Sequence, residues 1–82
     1  MPKTQESLND YYGILMYNVA WLRKQHGLSK KNMAKLLHIS VKSLERIEHR
    51  EMPPKLSIRI VSHIQNHFGI HPKDIVSIRL GE

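Results

Sequence analysis

Two serines eleven residues apart, Ser29 and Ser40, each stand directly ahead of a short amphipathic run, and only His38 and Ile39 are left to join the two runs. The first run, Lys30 to Leu37, places Met33, Ala34 and Leu37 on one side; the second, Val41 to about His49, does the same with Leu44 and Ile47. Spacings of three and four are the period of a helix, and a serine just ahead of a helix accepts a hydrogen bond from a first-turn N–H that has no other partner. Helices of two turns are marginal in water. The two must therefore lean on a core built by the rest of the chain, and the short connection makes them a helix-turn-helix.

The partners for that core are legible on either side. Tyr11, Leu15, Val19 and Leu22 recur at helical spacing, and Gly27 follows where a helix end favours a residue that accepts positive φ, so a helix is expected from Tyr11 to His26. Residues 1–10, opening with the polar MPKTQES, read as a flexible N-terminal arm ahead of a single domain over 11–82. Arg50 to Leu56 contains two adjacent prolines that no helix interior accepts and reads as a loop. Ser57 then opens a fourth helix with Ile58, Val61, Ile64, Gln65 and Phe68 along one stripe, Leu56 and Val61 placed as a hydrophobic staple, and Gly69 at its end. Pro72 suits the first turn of a last helix to about Ile78, with Ile75 and either Ile78 or Val76 turned inward. The expected fold class is all-α, a compact five-helix domain, and 82 residues supply material for one core.

Charge points to the partner. Of the residues between 23 and 59, ten are Lys or Arg and three are Glu, a surplus of seven against a net +6 for the whole chain. A positive field confined to one stretch is the footprint of a polyanion, nucleic acid first and an acidic membrane surface second. The chain has no cysteine, which excludes disulfides, thiolate metal sites and cysteine nucleophiles. Nothing in it approaches the ~20 apolar residues of a membrane span, and Met1 to Asp10 lacks the order of a secretory signal, so a cytoplasmic, nucleoid-associated protein is expected. No nucleophile elbow, phosphate loop or metal-hydrolase spacing occurs, so no catalytic residue, cofactor or metal is assigned and the chain reads as a non-enzyme. His63, His67 and His71 stand four apart, but Gly69 interrupts the helix between the last two, and solvent-facing histidines are the better reading. Trp21, Tyr11, Tyr12 and Tyr17 read as a cap on the core, with an exposed patch for a partner as the second reading.

In register with one another, Leu28-Ser29, Met33-Ala34, Leu37, Ile39-Ser40, Leu44 and Arg46-Ile47-Glu48 resemble the lambda-repressor-like helix-turn-helix family, which includes phage repressors, Cro and XRE-type bacterial regulators. The resemblance runs from about Leu15 to Ile78. It implies a sequence-specific regulator of transcription that binds double-stranded DNA, most often as a homodimer on a two-fold site. By the same resemblance Arg23 and Glu48 form a structural ion pair between the first and third helices. Ser40, Val41, Lys42, Ser43 and Arg46 fall on the positions that read bases in the major groove, with Glu45 and His49 beside them. Ser29 and Lys30 match the residues that anchor a phosphate at a helix N-terminus. Lys31, Lys35, Arg50, Lys55 and Arg59 read as phosphate neutralisers and Asn18 as a further backbone contact. His38 stands where the family has a turn glycine, a position that is often left-handed. Glu45 could accept from a cytosine amine or repel phosphate. The other functional class is a protein-interaction module, an antitoxin or adaptor subunit with a protein partner and secondary DNA binding.

Overall fold

The computed structural model describes the backbone of residues 2–52 and 54–81 and the side chains of residues 11–52 and 55–81; Met1 of the expected arm and Pro53 of the expected loop lie outside the described residues. Five helices, and no strand among the described residues, follow in order: α1 (Pro2–Gln25), α2 (Lys30–Leu37), α3 (Val41–Glu48), α4 (Pro54–Phe68) and α5 (Pro72–Ile75).

Both caps are in place. Ser29 and Ser40 have extended backbones, and their hydroxyls accept from the N–H of Asn32 at 3.1 Å and of Ser43 at 3.0 Å. Three helices then end in the same way, with a left-handed residue that reverses the chain so two otherwise orphaned carbonyls are bonded. After α1 that residue is Gly27 (φ 63°), with Gly27 N–H on Lys24 and Leu28 N–H on Arg23. After α2 it is His38 (φ 59°), as the turn position required, with Ile39 N–H reaching Ala34. After α3 it is Arg50 (φ 72°), with Arg50 N–H on Ile47 and Glu51 N–H on Arg46. Leu28 and Ile39, next after the first two reversals, turn onto the core.

The core is a single cluster: Leu15, Met16, Val19 and Leu22 from α1, Met33, Ala34 and Leu37 from α2, Leu44 and Ile47 from α3, Ile60 and Ile64 from α4, and Ile75 from α5. Tyr12, Trp21, Leu56, Val61, Phe68 and Val76 pack around it. Tyr12 and Trp21 thus cap the core, whereas Tyr11 lies exposed at the first turn of the expected stripe.

Several expectations are corrected. The helical backbone of α1 starts at Pro2, nine residues ahead of Tyr11 and through the segment read as a loose arm. Proline suits a first helical position, and no Gly or Pro interrupts Lys3 to Tyr12. The loop after α3 is shorter than expected, because Pro54 takes the first position of α4, where its missing N–H removes nothing. Ser57 is therefore inside the first turns of α4 rather than at its cap, and Leu56 and Val61 sit within the helix instead of stapling its start. The buried stripe also differs from expectation: it runs through Leu56, Ile60, Ile64 and Phe68 at spacings of four, leaving Ile58 81% exposed and Gln65 in solvent. α5 stops at Ile75, so Ile75 and Val76 face the core and Ile78 does not.

Candidate nucleic-acid interface

Burial on α3 divides the helix into two sides. Leu44 and Ile47 are fully buried; Lys42, Arg46 and His49 are exposed at spacings of four and three along the outer face, with Val41 exposed beside Lys42. Ser43 is half-buried and its hydroxyl accepts from the Ser40 hydroxyl at 3.0 Å, so these two serines close the start of α3 on each other.

Two contacts fix where that outer face sits. At the far end of α3, Arg23 grips Glu48 with two hydrogen bonds, Nε donating to Oε2 at 2.6 Å and Nη2 to Oε1 at 3.0 Å, while Nη1 donates to the Leu28 carbonyl at 3.2 Å. The expected ion pair is thus formed, with both side chains mostly buried. The hydrogen bond to Glu48 raises the Arg23 pKa further above its usual value, desolvation opposes this, and the charge of Glu48 adds to the rise. Between α2 and α3, Lys30 Nζ lies 3.6 Å from Glu45 Oε2, which puts the N-terminus of α2 on the same surface as the middle of α3.

The comparison with family models supplies the decision: residues 18–79, well over half of the chain, match the Cro/C1-type helix-turn-helix DNA-binding domain. The chain belongs to the Cro/C1-type family of DNA-binding domains. Comparisons with curated proteins and with solved structures each returned no match. The matched span of this Cro/C1-type domain begins in the last third of α1, at Asn18, and runs beyond α5. Among the described residues, no helix is long and apolar enough to cross a membrane.

The cations of the domain fall into two groups. Lys31 and Lys35 on α2, Lys42 on α3, and Lys55 and Arg59 on α4 are exposed and, among the described residues, form no ion pair. Lys30 is engaged by Glu45, and Arg46 by Glu51, with Nε 3.5 Å from Oε1. Arg50 sends Nη1 to the Gly13 carbonyl at 3.3 Å, so its side chain leans on α1 rather than standing free. Beside it a hollow of about 420 Å³ is lined by Met16, Trp21, Lys24 and Glu48 among others.

Two residues behave differently from expectation. Asn18 is fully buried and makes no external contact: its Nδ2 donates to the carbonyls of Ile75 and Ile78, each at 2.8 Å, and its Oδ1 accepts from Leu80 N–H at 2.9 Å. It ties α1 to the C-terminal segment. Of the three spaced histidines, His67 and His71 are exposed as expected and only His63 departs from that reading. His63 is half-buried and stacks on the turn residue His38, rings 4.1 Å apart and 11° from parallel, with His67 next along α4. Desolvation, then the neighbouring His38, His67 and Arg59, lower the pKa of His63. His71 caps α5, its Nδ1 accepting from Lys73 N–H at 3.1 Å.

One of these structural roles was readable in advance. Asn18 sits three after Leu15 and four before Leu22, in the apolar stripe itself, and an amide there implies buried hydrogen-bond partners. Glu51 gave no such sign, because its approach to Arg46 depends on a left-handed arginine where glycine is the usual signal.

Proposed function

We propose that this Cro/C1-type domain is a sequence-specific transcriptional regulator that inserts α3 into the major groove of double-stranded DNA. The single observation that carries the reading is the outer face of α3: Val41, Lys42 and Arg46 exposed together, on a helix locked to α1 by Arg23 and Glu48. Lys42 and Arg46 suit the acceptors of guanine, Val41 a thymine methyl, and Ser40 and Ser43 polar base edges or phosphates once their mutual contact opens. Ser29 and Lys30 at the start of α2, with Lys31, Lys35, Arg50 and Lys55, supply phosphate contacts that set affinity and register without reading sequence. A homodimer on a two-fold site would place its half-sites about one helical turn, ~34 Å, apart. DNA and a second copy of the chain are then the partners, in a cytoplasmic, nucleoid-associated protein.

The test is Lys42→Ala with Arg46→Ala. Each good base contact is worth about 1–3 kcal/mol of discrimination, so the pair should lose most sequence preference while circular dichroism stays that of the wild type. Unchanged preference would contradict the reading.

A protein-interaction module is the second reading, favoured by a different observation. An apolar groove of about 250 Å³ between α1, α4 and α5 is lined by Tyr11, Tyr12, Leu15, Ile58, Val61 and Val76, with Tyr11 and Ile58 largely exposed. In that case Tyr11→Ser and Ile58→Ser abolish partner binding and leave DNA affinity intact.

A further inference from the structure

The reversal at the end of α3 differs from the two before it at one position. After α1 and α2 the residue following the left-handed one is apolar, Leu28 or Ile39, and it packs inward; after α3 it is Glu51, and it lies exposed. The backbone closure is the same, with Glu51 N–H donating to the Arg46 carbonyl at 2.8 Å. That bond anchors residue 51 one turn beside Arg46, so the usual apolar contact at such a reversal is replaced by an ion pair. Oε1 of Glu51 lies 3.5 Å from Nε of Arg46, an ion-pair distance between two side chains that are 64% and 61% exposed. A guanidinium carries five N–H groups, and the two terminal nitrogens are enough to meet O6 and N7 of a guanine side by side. Glu51 thus engages the nitrogen that a base-reading fork can spare.

We propose that Glu51 is a positioning residue for Arg46, aiming the terminal nitrogens of its guanidinium at a base edge and keeping them off phosphate. The proposal rests on the major-groove reading above. Two effects act in the same direction. The carboxylate restricts the rotation of a long, 61% exposed side chain, which favours a contact requiring one orientation over contacts that accept many. Its negative charge also repels phosphate oxygens, which are present at every DNA sequence, while a guanine edge leaves room for it. Lys42, on the same face, has no carboxylate within ion-pair distance among the described residues and serves as the internal comparison.

The experiment uses the full chain and two duplexes, one selected from a random library and one scrambled. An exposed pair is worth at most about a fivefold change in an equilibrium constant, so Glu51→Ala should lower the ratio of selected to scrambled affinity by about three- to fivefold. Binding to scrambled DNA should rise and depend more steeply on salt. The backbone bond of residue 51 survives in Glu51→Ala, and an unchanged melting curve verifies that. The drop in ratio should persist with Lys42→Ala and vanish with Arg46→Ala, which separates positioning from the general gain of removing a negative charge near DNA. An unchanged ratio in Glu51→Ala, or an equal drop when Arg46 is already alanine, overturns the proposal. A wild-type chain with no preference for any duplex removes the regulator reading and this one together, whereas a selective wild type with an indifferent Glu51 removes this one alone.

Discussion

Asn18→Ala is the perturbation that most sharply separates a structural from a DNA-contacting role for a residue of α1. The side chain is fully buried and makes three hydrogen bonds, two as donor to Ile75 and Ile78 and one as acceptor from Leu80, over 57 to 62 residues of sequence. A net ~1 kcal/mol for each bond gives about 3 kcal/mol, and the stranded carbonyls and N–H keep the loss from being smaller. A chain of 82 residues has a total stability of roughly 4–12 kcal/mol at 0.05–0.15 kcal/mol per residue, so the loss is a large fraction of it. At about 4–8 °C per kcal/mol the melting temperature should fall by roughly 12–24 °C. Asn18→Asp tests the donors separately. It preserves size, yet it replaces an amide that serves two carbonyls with oxygens that face them, and it should be less stable than Asn18→Ala. Trp21, the single tryptophan, reports the same event locally. The chain after Leu80 folds back so closely over it that a side chain on Gly81 (φ 84°) would run into the indole, and releasing Leu80 should expose the ring before global melting. Thermal melts by circular dichroism and tryptophan emission read both. A loss under 1 kcal/mol in Asn18→Ala, or wild-type stability in Asn18→Asp, would refute the reasoning.

The remaining predictions concern α3, its reversal and the histidine stack. Arg23→Ala and Glu48→Ala should each cost about 2 kcal/mol, between the values for exposed and buried pairs, and the double variant no more than the worse single; additive losses in urea unfolding would show that the two do not act together. Arg50→Gly should raise stability by about 0.5 kcal/mol, as relief of a left-handed backbone outweighs the added freedom of the unfolded chain, while Arg50→Val should lower it; a destabilised Arg50→Gly would mean that the bond to Gly13 matters more than the backbone. His63 has its pKa lowered from 6.5 by burial and by His38, His67 and Arg59, so the unfolded chain takes up the proton first as pH falls. Stability should hold above about pH 6.5 and decline below it, and His63→Asn should flatten that decline in melts from pH 7.5 to 5; an identical slope would exclude His63 as the cause.

The parts of the fold that were legible in the sequence are those set by local chemistry. Ser29 and Ser40 announce the starts of α2 and α3 because a cap requires only its own hydroxyl and the next turn, whereas the left-handed backbone of His38 was implied only by the resemblance, where the family has a turn glycine. The pair Arg23 and Glu48 came from the family register, and the geometry forms it. The errors lie where a distant partner or the exact helix start decides. Pro54 could end a loop or begin a helix, and whether Ile58 or Ile60 joins Ile64 and Phe68 in the core is decided by which face of α4 meets the other helices, since steps of three or four residues reach Ile64 and Phe68 from either one. Asn18, an amide inside the apolar stripe of α1, signalled a need for buried partners, but which ones waited on the structure, because Ile75, Ile78 and Leu80 lie 57 to 62 residues away. The outer face of α3 was visible from the spacing of Leu44 and Ile47, but the engagement of Lys30 and Arg46 by Glu45 and Glu51 was not, because single charges on flexible side chains leave no periodic mark.

The central claim, that α3 reads DNA sequence, is tested most directly by selecting sites for the chain from a random duplex library and titrating salt on the winner and on a scrambled duplex. The account predicts a consensus with two-fold symmetry, bound about 10³-fold or more tightly than the scrambled duplex, with the preference lost in the Lys42→Ala, Arg46→Ala variant. Weak binding to both duplexes with the same steep salt slope would contradict it, reducing the basic face to an electrostatic surface.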